Sequence, residues 1–151
     1  MQVAEYAKKF PAKELAAEDI LRGDVTVSEI VSWVRGQSEV PLIYTSADPS
    51  VVQRTQVKYG QEVVAAAIEQ FFGSLVSALA SAGTNRIVSA GGETSGAVVS
   101  ALNIATMEIG PEIAPGVPAL RDSDRGLVLA LKSGNFGGEG FFETALKVLA
   151  Q

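Results

Sequence analysis

The sequence contains no cysteine and no histidine. Without cysteine there is no disulfide, thiolate nucleophile, iron–sulfur cluster or zinc–thiolate site. Without histidine there is no Ser-His-Asp triad, imidazole base or usual transition-metal ligand set. Positive charge is also scarce: 12 Lys and Arg stand against 17 Asp and Glu, a formal charge of −5. The longest basic run is Lys8-Lys9, so the basic patch of a nucleic-acid binder is missing. Unbroken apolar runs such as Val63 to Ile68 are too short to span a bilayer, and the N-terminal MQVAEYAKKF has no signal-peptide core. The expectation is a cytoplasmic protein with neither nucleic acid nor membrane as partner. Chemistry is left to carboxylates, Lys and Arg, hydroxyls, backbone N–H groups, or a hard metal ion held by oxygens.

What is present suffices for one domain: 151 residues, 47% of them hydrophobic. Residues 1–38 read as short helices, a helical extension packed on a domain spanning 39–151. Within that extension Thr26 and Glu29 have capping-box spacing, followed by a Val27, Ile30, Val31, Val34 stripe. Val40 to Thr45 reads as a strand, and Asp48-Pro49 as the start of a helix that Gly60 ends. The longest helix is expected over Gln61 to Ala82, with Val64, Ile68, Phe71, Leu75 and Leu79 on one face and Gly83 as its cap. Strands follow at Arg86–Ala90, Ala105–Ile109 and Leu127–Leu131, and helices at Thr94–Leu102 and Phe141–Leu149. Residues 111–118 read as a loop, and Arg121, Asp122, Asp124 and Arg125 as a solvated turn. Trp33 and the Phe141-Phe142 pair read as packing residues. The alternation implies an α/β layered fold, with a mainly parallel sheet flanked by helices.

Glycine is unevenly placed. Eleven of the 15 lie between Gly83 and Gly140. Two clusters share one context, a strand before and a helix after: Gly91-Gly92-Glu93-Thr94-Ser95-Gly96 and Ser133-Gly134-Asn135-Phe136-Gly137-Gly138. Ligands of open α/β sheets bind beyond the strands' carboxyl ends, where a helix N-terminus offers N–H groups and a positive dipole end to phosphate. Thr94 and Ser95 add hydroxyls. Neither a Walker A loop nor a G-x-G-x-x-G fingerprint is present. The plain alternative is that these glycines only make tight turns. Glu93 can hold magnesium, orient a water or bond a ribose hydroxyl, or simply complement the helix dipole. Lys132 can neutralise phosphate or be a solvated strand end. Asn135 can touch ligand or sustain a turn.

Gly91 to Val99 (GGETSGAVV), Ile109 to Pro118 (IGPEIAPGVP) and Leu131 to Gly138 (LKSGNFGG) with Phe141-Phe142 closely resemble, in order and spacing, three motifs of the four-carbon acid sugar kinases. Tyr44 to Pro49 resembles a weaker motif of the same family. The resemblance runs from about residue 40 to the C-terminus. It implies a C-terminal nucleotide-binding domain of an ATP-dependent kinase acting on a 3-oxo-tetronate, threonate or erythronate type of substrate, with ATP and Mg2+. It implies nucleotide contacts at Gly91, Gly92, Glu93, Thr94 and Gly134. With Ser133, Asn135 and Gly137 of the second loop these form the candidate binding set. The family's acceptor domain and an upstream serine-rich segment have no counterpart here, so no general base is assigned. The acceptor domain would act in cis or in trans, and the chain would be an isolated domain, a truncated gene or a split subunit. Alone it would bind nucleotide rather than turn over. The alternative is a non-catalytic phosphate- or nucleotide-binding module or a regulatory partner. A homo-oligomer is left open.

Overall fold

The computed structural model describes residues 2–45, 48–134 and 136–151. Local signals set many helix ends. Thr26 Oγ1 accepts from the Glu29 N–H (3.3 Å), and the Glu29 carboxylate accepts from the Thr26 N–H (2.8 Å). This capping box starts a helix over Val27–Arg35. Thr26→Ala should cost about 1 kcal/mol, read as a lower urea midpoint with an unchanged slope. Asp48 accepts from the Ser50 N–H (2.8 Å) ahead of Pro49. Gly83, at φ +97°, closes the longest helix, where its N–H and that of Thr84 donate to the Ala80 and Leu79 carbonyls.

The elements in chain order are α1 (Gln2–Ala7), β1 (Ala12–Leu15), α2 (Ala17–Arg22), α3 (Val27–Arg35), β2 (Leu42–Thr45), α4 (Pro49–Tyr59) and α5 (Gln61–Ser81). Then come β3 (Arg86–Ala90), α6 (Gly92–Leu102), β4 (Glu108–Ala114), β5 (Val117–Asp122), β6 (Leu127–Lys132) and α7 (Phe141–Val148). The layered α/β class is as expected, but the first 38 residues are not all helix: β1 lies among them and pairs in parallel with β2.

The larger sheet has the order β3-β6-β5-β4. Only β3–β6 is parallel there; β5 runs antiparallel to both β6 and β4. The expected mainly parallel sheet is therefore mixed. Two short turns force this, one at Pro115-Gly116 (Gly116 φ +76°) and one ending at Gly126 (φ +68°). The stretch 111–118, expected as a loop, is mostly strand. Its prolines are tolerated because the β4–β5 register shifts on both sides of Glu112↔Pro118, and the β5–β6 ladder begins only at Ala119. Asp122 also departs from the expected solvated turn. It is buried at the end of β5, where its carboxylate accepts from the Asp124 N–H (3.2 Å) and faces Arg125 (3.8 Å).

β6 is covered on both faces, which explains its unbroken apolar sequence. Val128 and Ala130 pack with Tyr6 of α1 and Phe141, Phe142 and Ala145 of α7. Leu127 and Leu129 pack with Val76 of α5 and Val98 and Leu102 of α6. A third cluster joins Leu15, Ile30, Phe71 and Leu75. At 21 residues, α5 is long and apolar enough to cross a membrane by length and composition, which counting unbroken runs did not reveal. Its Phe71, Leu75 and Val76 are buried in the second and third of these clusters. Gly73 lets α6 approach closely, since a Cβ there would come within 3.2 Å of the Ala101 Cβ.

Candidate functional site

β3 and β6 are parallel neighbours, and their last residues, Ala90 and Lys132, are register partners. Both glycine loops therefore leave the sheet from one edge, side by side. Their roots are tied together. The Gly91 N–H donates to the Lys132 carbonyl (2.9 Å), and Ser95 Oγ lies 3.2 Å from Ser89 Oγ and 3.4 Å from the same carbonyl. The Gln2 amide, arriving from α1, donates to the carbonyls of Phe136, Gly137 and Gly138 (3.1, 2.8 and 3.0 Å).

The glycines divide into two kinds. Gly91 (φ +121°) and Gly137 (φ +80°) are glycine for the chain's own reasons: a Cβ would sit 3.3 Å from Thr94 Oγ1 in the first case and 2.5 Å from Phe141 Cδ2 in the second. Gly92 and Gly134 have no positive φ, and a Cβ on either would meet nothing within 4 Å. No contact within the protein requires glycine at these two positions. They leave open space at the rim of two adjacent strand ends. Gly92 opens α6, whose first turn presents the N–H groups of Gly92, Glu93 and Thr94 ahead of the first helical bond, from Ser95 to Gly91 (2.9 Å). That is the arrangement of N–H donors and positive dipole end that attracts an anion.

The other candidates are less uniform in placement. Thr94 is half-buried beside Gly91, and Ser133 is exposed at the root of the second loop. Asn135 lies outside the described residues. Glu93 is exposed and lines a shallow groove between α5 and α6 with Gln70 and Ser74. Among the described residues no group of three or more acidic side chains could cage a metal ion. One free carboxylate still fits magnesium that keeps its waters and takes its other ligands from phosphate oxygens.

Lys132 is the residue that sequence reasoning placed least well. It is only 3% exposed, not a solvated strand end. Its Nζ donates to the carbonyls of Ser133 (3.2 Å) and Gly134 (2.9 Å) and lies 5.3 Å from the Phe141 ring centre. Among the described residues it has no carboxylate partner within 4.0 Å, and burial pushes its pKa below the ordinary lysine value. The signal was available in the pattern: Lys132 continues the Val128, Ala130 face of a strand apolar on both sides, and the next helix opens with Phe141-Phe142. Gln2 was missed because it acts across the whole chain length.

The family model of a nucleotide-binding C-terminal domain matches residues 1–142. A 3-oxo-tetronate kinase of Brucella melitensis is 44% identical over 153 aligned residues, covering 99% of this chain and 35% of its own length. A 3-oxo-tetronate kinase of Cupriavidus necator is 41% identical, covering 98% of this chain and 35% of its own. The crystal structure of a Haemophilus influenzae protein superposes with a TM-score of 0.91 at 35% identity, covering 98% of this chain and 37% of that one. The chain thus spans about a third of the length of the relatives it matches.

Proposed function

The chain belongs to the nucleotide-binding C-terminal domain family, and from that premise we propose that its paired glycine loops hold the phosphates of ATP. The γ-phosphoryl group would go to a hydroxyl of a four-carbon acid sugar, of the 3-oxo-tetronate, threonate or erythronate type. The observation that carries this reading is the open space at Gly92 and Gly134, on adjacent parallel strand ends, with no internal reason for glycine.

Phosphoryl transfer asks little covalent chemistry of a protein. It needs donor and acceptor held in line and the developing charge stabilised. Here the first-turn N–H groups of α6 would take phosphate oxygens, and Gly92 and Gly134 would let backbone approach them without a Cβ between. Glu93, the acidic residue of the first turn of α6, would be the carboxylate to hold magnesium, which when bound would neutralise phosphate charge. Lys132 would add a cation from beneath the second loop. No group in this chain is assigned to deprotonate the acceptor. That role falls to the larger part of the relatives that this chain does not span, acting in cis or in trans.

Titration calorimetry with ATP and ADP, with and without magnesium, tests the reading. Magnesium-dependent binding without turnover is expected of this chain alone. A folded sample that binds neither nucleotide at millimolar concentration would overturn it. Adding the N-terminal remainder of the Brucella melitensis relative should bring turnover on acid sugars; binding that never leads to turnover under any pairing would instead mark a non-catalytic module.

A further inference from the structure

A cavity of about 360 Å³ lies between β2 and β3. All four residues of β2 and all five of β3 line it. Consecutive residues of a strand point to opposite faces, so a cavity touched by every one of them runs along the strand edge. The other edge of β2 is paired with β1, and that of β3 with β6. Among the described residues, two unpaired edges therefore face the cavity. Tyr6 of α1 and Phe142 of α7 close one side of it, and Leu75 and Leu79 of α5 close the other. The two strands share one layer, because Leu42 and Val88 pack toward α1 and α7, while Ile43 and Ile87 pack with the clusters that include α5.

An apolar cavity between two rows of backbone N–H and C=O groups is costly to leave as it is. Water would satisfy the edges but wet the helices. A strand satisfies both at once, pairing on each edge and turning apolar side chains to both helix layers. We infer that the cavity seats a β-strand contributed by the stretch of the longer relatives immediately N-terminal to the region this chain matches. About two thirds of the relatives' length lies outside that region, and the match is to a C-terminal domain. The position of α1 supplies the connection. Gln2 bonds the carbonyls of Phe136 to Gly138, so α1 starts at the carboxyl end of β6, and the Tyr6 hydroxyl donates to the Val40 carbonyl (2.7 Å) at the approach to β2. A strand lying parallel to β3 and β6 would finish where α1 begins, one tight turn away. The inference rests on family membership but not on ATP as the ligand, so it survives a failed nucleotide titration.

The test joins to Gln2 the roughly 15 residues that precede the matched region in the Brucella melitensis relative, enough for one strand and a turn. Amide hydrogen exchange is then compared with that of the unextended chain. The amides of 42–45 and 86–90 that face the cavity should exchange at least tenfold more slowly in the extended chain, whereas those already bonded to β1 or β6, such as Leu42 (N–H to the Pro11 carbonyl, 2.8 Å), should change little. The same extension with its apolar residues changed to serine should give no protection. Unchanged exchange in both strands, or protection of only one, would overturn the inference, because a strand seated between them must pair with both. Protection already present in the unextended chain and rising with protein concentration would also overturn it, in favour of a second copy as occupant.

Discussion

Gly92→Val should lower affinity for ATP by two to four orders of magnitude while the chain stays folded. Gly92 has no positive φ, and a Cβ there meets nothing within 4 Å, so a side chain can leave the backbone at this position without φ strain or a clash at its first carbon. At the first position of α6, valine is a somewhat better helix residue than glycine, and the melting temperature should hold or rise slightly. The cost falls on the ligand. A branched side chain would stand over the first-turn N–H groups that phosphate oxygens need. A hydrogen bond to a charged group contributes about 1.5–3 kcal/mol, and losing two of them corresponds to a factor on the order of 10²–10⁴. Calorimetric titration and thermal unfolding, run on the same preparation, separate the two effects. Unchanged affinity in a folded variant would mean that phosphate does not approach Gly92. Lost affinity with lost folding would show that the open space at Gly92 is not what the geometry indicates.

The features most legible in the sequence are those that local chemistry decides. The capping box at Thr26, the Asp48-Pro49 helix start and the glycine cap at Gly83 all act within a few residues, and the structure has each of them. The two glycine loops were legible for the same reason, as turns at strand ends; their adjacency was not, since it depends on β3 pairing with β6 some forty residues on. β1 was missed because Ala12-Lys13-Glu14-Leu15 carries helix-favouring residues, and only its partner β2 makes it a strand. The β4–β5 hairpin was hidden by prolines, which read as loop until the bulged register that accommodates them is known. Lys132 and Asp122 were misplaced because burial of a charged side chain is decided by what packs over it, a tertiary fact with a faint local trace.

A chain with neither cysteine nor histidine is coherent with the proposed role. Cradling phosphate calls on backbone N–H groups, clearance at glycine, one carboxylate and one amine, and each of these is present near the two strand ends. The exposed face of α6's first turn and the covered ammonium beneath the second loop also differ in what they contribute to folding. Gly92 leaves its own surroundings unstrained, whereas Lys132 keeps a charge away from water with no carboxylate within 4.0 Å among the described residues. A group kept at a cost to stability is a better pointer to function than one that stabilises the fold.

Lys132→Met should therefore move stability and affinity in opposite directions. Among the described residues the lysine amine donates only to the Ser133 and Gly134 carbonyls, and its desolvation lowers its pKa in the folded state. Between that lowered value and the ordinary lysine value, the unfolded chain binds more protons than the folded one. Stability from this group accordingly rises with pH across that window, and the desolvation penalty is present in full at pH values below it. Residues 133 and 134, which cover the amine, are themselves exposed, so the penalty is modest. Methionine has similar length and no charge, so the variant should match or exceed the parent by up to about 1 kcal/mol near pH 7. That advantage should shrink as pH climbs toward the ordinary lysine value, where the parent's own amine becomes neutral. Affinity for ATP should fall by about 10- to 150-fold, the loss of one charge-assisted contact. Urea unfolding at several pH values, paired with calorimetric titration near pH 7, reads both quantities. A lysine that merely tethers the second loop would behave differently: its removal would lower stability together with affinity, and the difference in stability would not close with rising pH.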